Sequence, residues 1–162
     1  MDGGDGLTME ERSRRSVVVG MSSGGSLVVT RLRSVEAAAD RMRALIVDDD
    51  LVIRMIHSKL LNNFGIENQM VVNRKEALDV HSAGKKFDLI MMDMDMPVMN
   101  GIKATKKLRE MGVHSLIAGV SSRSIEQEKQ KFMRAGLDDY QKKLLTSDKL
   151  FSILNKVNYK EI

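Results

Sequence analysis

No cysteine occurs among the 162 residues. This excludes disulfides, thiolate metal sites and a cysteine nucleophile. Aromatic residues make up only 4% of a chain that is 43% hydrophobic, so a core has to be aliphatic. Thirteen methionines are available to fill its irregular gaps. No stretch approaches the roughly 18 apolar residues of a membrane span. The start carries Asp2 and Asp5 instead of the basic and apolar regions of a secretory signal. Residues 1–43 hold seven arginines, as a transit peptide would. Six acidic residues (Asp2, Asp5, Glu10, Glu11, Glu36 and Asp40) sit among them and argue against one. A cytoplasmic protein, with the nucleus as a second compartment, is the expectation.

The net charge is +4, yet nucleic acid is not an expected partner. The basic residues spread over several prospective helices and are not interleaved with aromatics. From residue 44 onward, 19 basic residues face 16 acidic ones. The acids gather near the ends of apolar runs, which points to a cationic ligand.

Residues 1–42 show no steady hydrophobic period and are rich in Gly and Ser, so a disordered extension is expected there, with a helical turn or two at 34–42. The texture changes near residue 43. Ala44 to Val47 is a short apolar run ending in Asp48, Asp49 and Asp50. Val52, Ile53, Ile56, Leu60 and Phe64 then recur at helical spacing, with Gly65 as the stop. Met70 to Val72 reads as a second strand. Asn73 with Glu76 resembles a capping box opening a helix that Gly84 ends. Phe87 to Met92 is a third apolar run and also ends in an aspartate, Asp93. A turn with Pro97, Asn100 and Gly101 follows, then a helix to Gly112. Leu116 to Val120 leads to Ser121 and Ser122. Ser124 with Gln127 predicts the start of a helix reaching Gly136. Asp139 to Lys142 is a polar fifth strand, and Leu150, Phe151, Leu154 and Val157 mark a last helix.

Five strand–helix pairs in about 115 residues predict a parallel sheet with helices on both faces. In such sheets ligands sit beyond the carboxyl ends of the strands. That rule gathers Asp48, Asp49, Asp93, Ser121 and Lys143 on one rim. Carboxylates meeting there either bind a proton more tightly or admit a cation. Mg2+ suits an oxygen-only donor set. A run of three aspartates alone would equally suit a helix cap, but a second strand ending in aspartate weakens that alternative. A carboxylate such as Asp93 can act as a nucleophile and form an acyl phosphate. Phosphoryl transfer needs mainly positioning and charge neutralisation, which a Ser121 hydroxyl and a Lys143 ammonium can supply.

The stretches ALIVDDD, FDLIMMDMDMPVMNG, IAGVSS and AGLDDYQKK resemble the receiver domain of response regulators. The resemblance covers residues 43–158 and leaves 159–162 as a tail. It implies a flavodoxin-like (βα)5 fold with strand order 2-1-3-4-5. It assigns Asp93 as the phosphoacceptor, and Asp48, Asp49, Asp93 and the Asp95 carbonyl as Mg2+ ligands. Ser121 becomes the switch hydroxyl, Lys143 the conserved-type lysine and Tyr140 the aromatic that turns inward on activation. The implied donor is a histidine-phosphotransfer protein fed by a hybrid histidine kinase. Arg-Met-Ile-His in the first helix and Met-Asp-Met-Asp-Met-Pro bring the chain nearest to the plant receiver-only, type-C group linked to cytokinin phosphorelays. That group implies a monomer without DNA-binding output. His57 then falls on the helix that meets the donor, as a contact residue at best, and His81 on the surface.

One departure bears on the site. Family members usually carry proline after the lysine, often behind a cis bond, whereas Leu144 follows Lys143 here. A cis bond before leucine is costlier than before proline, so a trans loop with Lys143 displaced is expected. Three rival readings remain. One is a phosphate sink that mainly dephosphorylates the phosphotransfer protein. Another is a pseudo-receiver that only binds. The third is a haloacid-dehalogenase-type phosphatase, suggested by Asp93-Met94-Asp95.

Overall fold

A computed structural model describes residues 42–161, apart from 96, 97 and 125. The extension expected over 1–42 lies outside the described residues, except for Met42, which packs into the core. Ten elements alternate along the chain: β1 Arg43–Val47, α1 Leu51–Asn63, β2 Glu67–Val71, α2 Arg74–Ser82, β3 Leu89–Asp93, α3 Val98–Glu110, β4 Leu116–Ser121, α4 Lys129–Ala135, β5 Asp139–Lys142 and α5 Ser147–Glu161. The strands form one sheet in the order β2-β1-β3-β4-β5, and every pairing is parallel. The flavodoxin-like order expected from the resemblance is therefore the observed one. Among the described residues no helix is long and apolar enough to cross a membrane.

Strand side chains alternate between two cores, as a period of two requires. On one face Ala44, Ile46, Leu89, Met91 and Ala118 meet Leu61 of α1 and Leu150, Ile153, Leu154 and Val157 of α5. On the other, Leu45, Val47, Ile90, Met92 and Ile117 meet Ala77 of α2, Ile102, Ala104 and Leu108 of α3, and Phe132 and Ala135 of α4. Both faces of the three central strands are covered. This is why those strands read as continuous apolar runs and not as alternating ones.

Local features depart from the sequence reading in several places, beginning with β2, which spans Glu67–Val71 and not Met70 to Val72. The α1 stripe is rotated: His57 and Leu61 are its fully buried residues, while Val52 and Ile56 are exposed. A histidine in the core stripe disguised the true face. Helix α3 already begins at Val98, so Asn100 and Gly101 lie inside it and not in a turn. Gly101 permits close packing there, since a Cβ would meet Met94 Sδ at 2.8 Å and the Asp93 carbonyl oxygen at 3.2 Å. Helix α4 starts at Lys129, with Glu128 in the N-cap position making no side-chain cap, so the Ser124–Gln127 box does not form. His81 is half-buried, edge-on to Phe87. The Asn73–Glu76 cap does form: Asn73 accepts the Glu76 N–H at 2.9 Å, and Glu76 reaches back to the Val72 N–H.

Candidate functional site

The carboxyl ends of β1, β3, β4 and β5 deliver the predicted residues to one rim. The three aspartates after β1 divide their tasks. Asp50 caps α1, accepting the Val52 and Ile53 N–H groups. Asp48 is buried and its backbone is tied to Arg54. Asp49 is exposed toward the rim. A carboxylate oxygen from each of Asp48, Asp49 and Asp93 lies within 4.8 Å of the other two.

Lys143 is not displaced. Its peptide bond to Leu144 is cis, contrary to the expected trans loop. Two anchors hold the segment from either side. The Lys143 N–H donates to the Ser121 carbonyl at 2.7 Å, and Leu145 is buried in the core with its N–H facing His57 Nε2 at 3.5 Å. The ammonium lies 2.8 Å from Asp93 Oδ1, 2.9 Å from Asp48 Oδ2 and 3.2 Å from Asp95 Oδ2. His57 itself is fully buried, so it cannot be a surface contact for a donor. It supports the lysine loop from beneath.

Electrostatics follow from burial and partners. Burial pushes the Asp93 carboxyl above its ordinary value, against the hydrogen bonds from Lys143 and the Asp95 N–H. Burial alone would depress Lys143, but hydrogen bonds to Asp93 and Asp48 and their charges hold the ammonium well above its usual value. For Asp95, burial is outweighed by hydrogen bonds from Ser121 and Ser122 and by the charge of Lys143, so its carboxyl sits low. Asp93 Oδ2 is buried and finds no hydrogen-bond donor among the described residues.

The oxygen-only donor set, with one buried carboxylate oxygen left over, fits a hard divalent cation such as Mg2+. Asp48, Asp49 and Asp93 are the side chains able to hold it.

Ser121 is at the rim, but its hydroxyl donates to Asp95 Oδ1 and not toward Asp93. Tyr140 is half-buried against the α3–α4 core, and its hydroxyl donates to the Arg123 carbonyl. Within the receiver resemblance only the Asp95 carbonyl was assigned a role, so the tie of its carboxylate to Ser121 and to the Ser122 N–H was missed. The Ser122 N–H had no signal in the sequence, because a backbone donor leaves no residue type to read.

Comparison with known proteins identifies the family. The family model for the response regulator receiver domain matches residues 44–155. Two-component response regulator 24 of Arabidopsis thaliana is 58% identical over 122 residues, 75% of this chain and 88% of that protein. Two-component response regulator ARR22 of the same plant is 40% identical over 136 residues, 83% of this chain and 94% of its own length. Among solved structures, the co-crystal structure of the Saccharomyces cerevisiae histidine phosphotransfer protein Ypd1 with the receiver domain of Ssk1 matches with a TM-score of 0.66. That match covers 74% of this chain and 90% of the other, at 23% identity, a level that speaks for the fold alone.

Proposed function

This chain belongs to the response regulator receiver family, and on that footing we propose that Asp93 accepts a phosphoryl group from a phosphohistidine of a histidine-phosphotransfer protein. The observation that carries the reading is the seating of Lys143 on Asp93 and Asp48 beside the three-aspartate cluster. A carboxylate nucleophile, a neutralising cation and a place for Mg2+ meet at one point.

An Asp93 carboxylate oxygen attacks phosphorus in line. The new O–P bond forms as the P–N bond breaks, and the released imidazole nitrogen takes up a proton. Bound Mg2+ would supply charge neutralisation on the phosphoryl oxygens. Lys143 adds a point charge to the same oxygens. Ser121 would leave Asp95 to donate to the phosphoryl group, and Tyr140 would follow it, reshaping the β4–α4–β5 face.

The first helix offers the docking face. Leu51, Val52, Met55 and Ile56 are exposed apolar residues directly beside the rim, a surface suited to an amphipathic helical bundle. The yeast co-crystal structure joins a receiver domain of the same fold to a histidine phosphotransfer protein, which supports this class of partner. Membership in a plant phosphorelay, cytokinin-linked and fed by a hybrid histidine kinase, rests on the type-C resemblance and on the plant relatives. Residues 43–158 would constitute the receiver.

The presence of Lys143 at Asp93 speaks against a pseudo-receiver. Commitment of Asp95 to Ser121 and Ser122 speaks against a haloacid-dehalogenase-type role for that residue. The test is transfer from a phosphorylated phosphotransfer protein, with Mg2+ and with EDTA, to wild type and Asp93→Asn. Label should reach only wild type with Mg2+. Stable label on Asp93→Asn would overturn the assignment, and turnover of small phosphate esters would favour the phosphatase.

A further inference from the structure

Asp95 differs from the other carboxylates of the rim in where it points. Its Oδ1 accepts the Ser121 hydroxyl and, at 3.0 Å, the Ser122 N–H. Its Oδ2 accepts the same N–H at 2.9 Å and faces Lys143 Nζ at 3.2 Å. One carboxylate thus collects a hydroxyl, a backbone N–H and an ammonium. These are the kinds of donor that an anionic phosphoryl oxygen on Asp93 would require.

The bonds exclude one another. A serine hydroxyl has one proton to donate. The Ser121 Oγ already accepts the Arg123 N–H at 3.1 Å, and its proton is committed to Asp95. The Ser122 N–H also has a single proton, shared between the two Asp95 oxygens. A phosphoryl group two residues away, on Asp93, cannot take either donor while Asp95 holds it. The two anions would also repel each other across the same donors.

We propose that the Asp95 carboxylate is an internal stand-in for the phosphoryl group, occupying its donor set in the resting protein and yielding it when Asp93 is modified. This rests on the reading of Asp93 as phosphoacceptor. Asp95 is on this view a positioning residue that sets how readily the phosphorylated arrangement is reached. Apparent affinity for a phosphoryl anion falls by the fraction of molecules in which the donors are free. A plain structural staple between the β3 and β4 ends would behave in the opposite way. Its removal would scatter the donors and weaken binding.

The test uses beryllofluoride with saturating Mg2+ as the phosphoryl probe, followed by amide resonances of the full chain. Asp95→Ala should bind the probe about tenfold more tightly than wild type. Asp95→Asn, which keeps the size and one acceptor oxygen but loses the charge, should fall between them. It carries the test if the alanine variant does not fold. Before any probe is added, the Ser122 amide proton should move on Asp95→Ala, because it loses a charged acceptor. Equal or weaker probe binding by the variants, with wild type responding normally, overturns the stand-in and leaves the phosphoacceptor reading intact. Absence of any response in wild type, together with no label on Asp93 from a phosphohistidine donor, overturns both.

Discussion

Lys143 Nζ and Asp93 Oδ1 lie 2.8 Å apart although fifty residues separate them in the chain. The same ammonium is 2.9 Å from Asp48 Oδ2. A single half-buried cation therefore joins the ends of β1, β3 and β5 and offsets the repulsion of two buried carboxylates. A divalent cation held by Asp48, Asp49 and Asp93 would act on the same pair of charges as Lys143.

Removing the ammonium should expose that repulsion. Breaking a buried ion pair by deleting one partner costs about 3 kcal/mol or more. Lys143→Met should lower stability by about that amount in EDTA, measured by urea unfolding. Mg2+ should then restore more stability to the variant than it adds to wild type, because the variant has no other cation there. Equal Mg2+ effects in the two proteins would disprove shared neutralisation.

The exposed α1 patch makes a separate prediction about partner choice. Met55 is 59% exposed and Val52 is 62% exposed, so a charge at either position should cost little stability. Met55→Glu should slow transfer from a phosphotransfer protein by about tenfold or more, the loss expected of an apolar anchor. The beryllofluoride response of Asp93 should be unchanged. Loss of both would mean that the substitution damages the rim and does not disturb docking.

The rim was legible because strands covered on both faces read as unbroken apolar runs, and their ends mark where a parallel sheet binds its ligand. Asp48, Asp93, Ser121 and Lys143 followed from that rule. The rest depended on three-dimensional partners. His57 looked like a surface residue, since a polar side chain in a helix is usually exposed. Its burial shifted the α1 face away from Val52 and Ile56. Lys143 was expected out of place on the strength of one local substitution, yet anchors at Ser121 and Leu145, remote or hidden in sequence, hold it at Asp93.

Arg109 is a second residue whose importance only packing discloses. Its guanidinium donates to the carbonyls of Gly136, Val113 and Ser115 and to Asp138 Oδ2 at 2.7 Å. It thereby ties the end of α3 to the end of α4, where Gly136 adopts φ 117°. A lysine carries the charge but lacks the planar fork of donors. Arg109→Lys should therefore cost about 2 kcal/mol, through carbonyls left without a donor, without altering Mg2+ binding at the distant rim. Chemical unfolding and an Mg2+ titration measure the two quantities. Unchanged stability would show that water replaces the fork.

His57 should give the protein a defined loss of stability on mild acidification. Burial holds its imidazole below the ordinary value of 6.5, against the pull of the Asp48 charge. The unfolded chain therefore binds this proton at a higher pH than the folded one. Below about pH 6.5 the unfolded state is protonated while the folded state is not, so stability falls as pH drops toward the lowered folded value. The slope approaches about 1.4 kcal/mol per pH unit. Above 6.5 both states are neutral and this contribution is flat. Below the folded value both are charged and the loss levels off. Asp93 and Asp95 also titrate on acidification, so the contribution of His57 is isolated by comparison with His57→Gln. Glutamine keeps an acceptor for the Leu145 N–H but cannot take a proton in this range. Its own cost is an offset independent of pH, so the difference between the two stability curves should be constant above pH 6.5 and shrink steadily below it. Parallel curves down to pH 5 would mean that the buried imidazole accepts a proton without penalty, and that the loop carrying Lys143 is not pH-sensitive through His57.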